Sequence, residues 1–147
     1  MLFRSGGRDG ALVVVNRELT RAVAVAQIAH TLQSALDDWE QTEPALRDVS
    51  ARMNRGHVDG EFVFDASACA APLPRAYHWV DVSAYVNHVE LVRKARGVEL
   101  PDSFWHDPLV YQGGSDDFLG PNDDIVVPSE DFGIDMESET ADRKAHV

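Results

Sequence analysis

The chain has 147 residues, 44% of them hydrophobic, and carries 25 acidic against 13 basic residues for a formal net charge of −12. That length sets one domain as the default, with room for a second small one, and the charge argues against nucleic acid or an anionic membrane as the main partner, because both attract basic faces. Cys69 is the one cysteine, so no internal disulfide can form and a reducing cytoplasm is the expected location; the opening MLFRSGGRDG lacks the apolar run of a secretory signal, and no stretch approaches the ~20 apolar residues of a membrane span.

The first turn signal is GGRDG at 6–10. It precedes ALVVV at 11–15, a β-rich apolar run that reads as a strand, with Leu2 and Phe3 placed to pair back on it as a hairpin. Val25, Ile28, Ala29, Leu32, Ala35, Leu36 and Trp39 recur at three- and four-residue spacing, which predicts a helix over 25–39 with Gln27, Thr31, Gln33 and Asp37 on its polar side. A second helix is expected from near Pro44, a residue suited to a first helical position. Leu46, Val49 and Met53 form its buried side and Gly56 its stop. EFVFD at 61–65 reads as a further strand, so residues 1–72 form a small α+β unit.

Prolines and small residues in ACAAPLPRAY, 68–77, mark a linker or an edge segment. Beyond it, DVSAYVNHVELVRKARG at 81–97 reads as a helix capped by Asp81 or Ser83, with Lys94 and Arg96 in its last turn and Gly97 as its stop. The runs PLVYQGG, DDFLGPND, DIVVPSE and FGIDMESE follow as short strands broken by turns. Residues 73–147 therefore read as the first part of a β-rich domain, and the chain as α+β.

Several residues could carry chemistry. Asp135, Glu137 and Glu139 alternate with Ile134, Met136 and Ser138, so on a strand the three carboxylates share one face, roughly 6–7 Å apart. Neighbouring carboxylates repel unless a cation lies between them, and all-oxygen donors suit Mg²⁺, Ca²⁺ or Mn²⁺. A wet, charged strand face gives the same pattern without any ion. His88, one turn after Tyr85, suits a general base near neutral pH, or is simply an exposed helical histidine. The other histidines show no metal-ligand spacing. Tyr111 opens YQGG, whose glycines would let the backbone approach a ligand closely, or merely end a strand. Asp116, Asp117, Asp123 and Asp124 read as turn residues and Cys69 as a small packing residue.

Taken in order, the Asp81-to-His88 segment, YQGGSDDFLGP and FGIDMESE resemble the fumarylacetoacetate hydrolase family, most strongly over 73–139. The resemblance implies a metal-dependent hydrolase that cleaves a carbon–carbon bond beside a ketone in a small dioxo acid such as fumarylacetoacetate, in aromatic amino-acid breakdown. It implies that Asp81, Glu137 and Glu139 bind a divalent cation, Mg²⁺ or Ca²⁺ with Mn²⁺ as the next choice. His88 becomes the base that activates water, and Tyr111 and Arg96 contact substrate, Arg96 one place out of register. Pairing into a homodimer is likewise a family expectation. Ser83 stands where fumarylacetoacetate hydrolase has a substrate-side tyrosine. The polar TADRKAHV stands where the family continues with an apolar strand, so the sequence reads as truncated after Glu139. The alternative is a catalytically inactive remnant that at most binds a divalent cation or another chain.

Overall fold

The computed structural model describes residues 1–83, 85–114 and 118–134. Four strands in chain order, β1 (Leu2–Phe3), β2 (Ala11–Val15), β3 (Arg21–Ala24) and β4 (Phe62–Val63), form one antiparallel sheet. The expected opening hairpin is present, with Leu2 opposite Leu12 and Phe3 opposite Ala11. Its turn depends on Gly10, which has φ +70°, and a Cβ there would lie 2.9 Å from the Cβ of Leu2. The next turn is organised by Asn16, only 2% exposed. Its Oδ1 accepts from the backbone N–H of Thr20 and of Arg21, both at 2.9 Å, so the buried amide carries no unpaired acceptor.

Strand alternation sorts the apolar residues onto two sides. Leu12, Val14 and Val23 join Leu2, Val25, Ala29, Ala35, Val49 and Met53 in the larger core. Val13, Val15 and Ala22 point the other way and pack with Phe3, Phe64 and Cys69. The sheet curls to enclose this second cluster. Phe3 meets Phe62 edge-on at 5.4 Å and Phe64 at 6.2 Å, bringing the first and last strands together. Beyond β4 the chain returns to the outer side of β1, where Cys69 bridges Phe3 and the Ala70 N–H donates to Leu2 O at 2.9 Å.

Two helices cover the larger core, and both differ in extent from the periodicity. α1 spans Leu32–Asp37 only, started by a Thr31–Ser34 capping box. Residues 25–31 stay outside it because their backbone groups are used by the sheet: Val25 N–H donates to Leu12 O, and Leu12 N–H to His30 O. α2 runs Trp39–Arg55, with Pro44 inside rather than at its start. The turns before Pro44 are held by the Thr42 hydroxyl, which reaches Ala35 O at 2.7 Å and Asp38 O at 3.0 Å. Val49 and Met53 are buried and Gly56 ends the helix, as the spacing predicts. Arg21 ties β3 to that end, donating to Met53 O and Gly56 O and pairing with Glu61.

The later part holds β5 (Val80–Ser83) and β6 (Leu109–Gln112), an antiparallel pair, with α3 (Val86–Ala95) between them in sequence. The helix predicted over 81–97 therefore begins later. Asp81 lies on a strand, because Val80 and Val82 alternate with it and find a pairing partner in Leu109–Gln112. Gly97, at φ +67°, follows the helix as expected. DIVVPSE does not form a strand: Ile125 and Val126 stay 74% and 89% exposed, with no ladder partner among the described residues. In FGIDMESE, residues from 135 onward lie outside the described residues. No helix among the described residues is long and apolar enough to cross a membrane.

Contacts from both flanks fasten the later segment to the leading unit. Arg75 forms a two-point pair with Asp9. Arg4 donates to Cys69 O at 3.1 Å and pairs with Asp123, which also accepts from Gly120 N–H at 2.8 Å. A Cβ on Gly120 would lie 2.7 Å from both an Arg4 guanidinium nitrogen and Cys69 O, so only glycine fits there.

Candidate functional site

The pairing of β5 with β6 sets Asp81 directly opposite Tyr111. Directly opposed residues of an antiparallel pair project from the same face, so this carboxylate and this phenol share one side of the ribbon. Asp81 is partly buried, and Tyr111 is 64% exposed. Two positions before Asp81, Trp79 falls on the same face by strand alternation. Its carbonyl accepts from Gly113 N–H at 3.0 Å, continuing the ladder by one rung. The indole lies over Gly113 so closely that a Cβ there would sit 1.7 Å from the ring. Tyr111 meets the indole edge-on at 6.0 Å and Phe118 lies at 6.2 Å on a tilt. A carboxylate therefore stands beside an aromatic group that is still open to solvent, with Trp79 39% exposed.

α3 contacts β5 and carries His88 on an exposed position of its first turns. Tyr85, expected to share a helical face with His88, is instead the residue that precedes the helix. Arg96 is the capping residue that follows α3, exposed, with its N–H on Val92 O at 3.1 Å. Of the six expected site residues, Asp81 and Tyr111 are brought together. His88 lies near the start of the adjoining helix, and Arg96 caps it just past its end. Glu137 and Glu139, with Asp135, lie outside the described residues.

Asp81 is an oxygen donor on an open face and so suits a hard divalent cation. Among the described residues, no group of three His, Cys, Asp or Glu comes together that could hold a metal ion.

A separate cleft of about 660 Å³ lies between the α1–α2 junction and residues 73–78, lined by Asp37, Asp38, Glu40, Leu73, Tyr77 and His78 among others. It includes none of Asp81, His88 or Tyr111. A neighbouring cleft contains the Asp9–Arg75 pair, where the hydrogen bonds from Arg75 hold the Asp9 carboxyl below the usual aspartate value. Cys69 is buried in the curl of the sheet, and burial pushes its thiol up, away from the nucleophilic thiolate. This agrees with a packing role.

Trp79 is the residue that sequence reading missed. A signal was present: Trp79-x-Asp81 and Tyr111-x-Gly113 both alternate at strand spacing, and a large ring opposite a glycine is a cross-strand pair that shields exposed backbone.

Residues 2–75 match the family described as Fumarylacetoacetase N-terminal domain 2. No curated protein matches the chain.

Proposed function

The chain belongs to the Fumarylacetoacetase N-terminal domain 2 family, and from that membership we propose that it serves the hydrolysis of a carbon–carbon bond in a small dioxo acid, fumarylacetoacetate being the first candidate. The observation that carries this reading is the pairing of Asp81 with Tyr111 on one open face of β5–β6, with α3, the helix that carries His88, in contact with β5.

Asp81, Glu137 and Glu139 are the proposed holders of a divalent cation, Mg²⁺ or Ca²⁺. That cation would supply the polarisation of the substrate carbonyl. His88 takes a proton from water, which attacks the carbonyl carbon; the adjacent carbon–carbon bond then breaks, its electron pair leaving with the departing fragment as an enolate, which takes the proton back from His88. Tyr111, opposite Asp81, holds a substrate oxygen by its hydroxyl, and Arg96 offers charge to a substrate carboxylate. The acidic balance of the chain, 25 against 13, favours cation capture over binding to polyanions.

Heating the chain with Mg²⁺ and with a chelator tests the cation. A cation that binds the folded state raises the midpoint, by about 2.7 kcal/mol of stabilisation at a concentration one hundred times its Kd. Asp81→Asn abolishes that rise while leaving the metal-free midpoint within a few degrees. A midpoint indifferent to Mg²⁺, Ca²⁺ and chelator would leave the chain without a working site. It would favour the second reading, a non-catalytic chain whose uncovered valines, Val80, Val82 and Val110 at 44%, 49% and 58% exposure, bind another chain. For the base, His88→Ala eliminates hydrolysis of a dioxo acid and retains the Mg²⁺ shift. Equal turnover in mutant and parent contradicts that role.

A further inference from the structure

Resting on the reading of Asp81 as a cation-site carboxylate, we infer that Trp79 and Tyr111 form an aromatic wall that receives the flat acyl arm of the substrate beside that carboxylate. The arm is the part of a dioxo acid that points away from its chelating oxygens.

The argument is geometric. Trp79, Asp81, Tyr111 and Gly113 share one face of β5–β6, by the register that sets Val80 opposite Gln112 and Asp81 opposite Tyr111. Gly113 has no side chain, so the indole lies on the backbone instead of standing away from it. The edge-on contact of Tyr111 at 6.0 Å and the tilted contact of Phe118 at 6.2 Å fix the ring from two sides. An indole that served only to cover Gly113 would do so equally well on a ribbon face with no acid. Here it stands two residues from Asp81 on the same strand, and its exposure of 39%, with 64% for Tyr111, leaves aromatic surface available to a ligand. A flat, conjugated 2,4-dioxo group held by its oxygens near Asp81 has its carbon arm within reach of that surface. Aromatic surface favours such an arm through apolar burial and stacking. The expected selectivity is therefore for dioxo acids with a planar or apolar arm over small dianions that only chelate.

The test compares the parent with Trp79→Phe, a change that keeps a ring over Gly113, and confirms equal far-UV circular dichroism. The probes are Mg²⁺ alone, Mg²⁺ with 2,4-dioxopentanoate, and Mg²⁺ with oxalate, which chelates but has no arm. In the parent, 2,4-dioxopentanoate quenches tryptophan emission saturably and oxalate does not. In Trp79→Phe the quench is lost, and calorimetry shows 2,4-dioxopentanoate binding weakened about two- to tenfold with Mg²⁺ and oxalate affinity unchanged. Binding of 2,4-dioxopentanoate with no change in emission, or with equal affinity in Trp79→Phe, overturns the aromatic wall while leaving the cation site standing. Failure of Mg²⁺ itself to bind overturns the cation reading first and the wall with it. The two failures are therefore distinct.

Discussion

Met53→Ala probes the packing on which the leading unit depends. Met53 is 0% exposed and lies in the larger core with Leu2, Leu12, Val23, Val25, Ala29, Ala35 and Val49. Truncation to alanine removes the thioether and its methylenes from a site closed by a sheet on one side and by α1 and the rest of α2 on the other. That loss costs about 2–5 kcal/mol, the transfer term plus a cavity the rigid sheet cannot fill. Alanine is the better helix former, so helix propensity acts against the effect and cannot produce it. The main-chain carbonyl of Met53, which accepts from Arg21 at 3.0 Å, is untouched by the change. Met53→Leu keeps nearly the same volume and should lose less than about 1.5 kcal/mol. Urea unfolding followed by far-UV circular dichroism reads both, with an unchanged slope expected if only native packing is altered. An alanine variant that loses less than about 1 kcal/mol, or a leucine variant that loses as much as alanine, would show that Met53 does not occupy a tight core site.

Other outcomes follow from polar and backbone features. Thr42→Val keeps the shape but strips the hydroxyl from Ala35 O, and should cost about 1–3 kcal/mol; Thr42→Ser, which retains the donor, should lie nearer the parent in the same urea titration. Burial opposes the charge on Glu61, but the Val58 N–H, Arg21 and His57 outweigh it and hold the carboxyl below its ordinary value. Its contribution is therefore present above the unfolded glutamate value and disappears as pH falls through the lower folded one. The midpoint gap between parent and Glu61→Gln should be widest at neutral pH and close in acid, and a gap that widened in acid would reverse the assignment. Leu19 adopts φ 54° without being glycine and is 60% exposed, so Leu19→Asn should raise stability by about 1 kcal/mol, read as an upward shift in the thermal midpoint.

Much of the leading unit could be read from local pattern. The run at 11–15 and the spacing of Leu46, Val49 and Met53 each express one period, and the folded chain uses each in that way. The stretch 25–31 misled because Val25, Ile28 and Ala29 are buried or half-buried at helix-like spacing, yet their burial comes from turns laid against the sheet. What decides that region is the bond from Leu12 N–H to His30 O, a contact between distant residues that periodicity does not encode. Asp81 misled in the same way. Its neighbours look helical, and the strand appears only when Leu109–Gln112 supplies the other half of the ladder. For the site, residue types and their order named Asp81 and Tyr111 through the family resemblance. That they stand opposite one another, and that Trp79 joins them, depends on register between strands far apart in sequence.

The return of the chain from β4 to the outer side of β1 has a consequence for self-association. Cys69 and Ala70 occupy the backbone positions where a foreign strand would otherwise dock, and β4 at the opposite margin is only two residues long. Such a sheet offers little template for polymerisation. Among the described residues the two-stranded ribbon of β5 and β6 has no comparable guard, and its valines are open. Under heat or crowding, fibril seeding should begin there, and a lysine at Val110 should delay it more than any charge added to the first four strands.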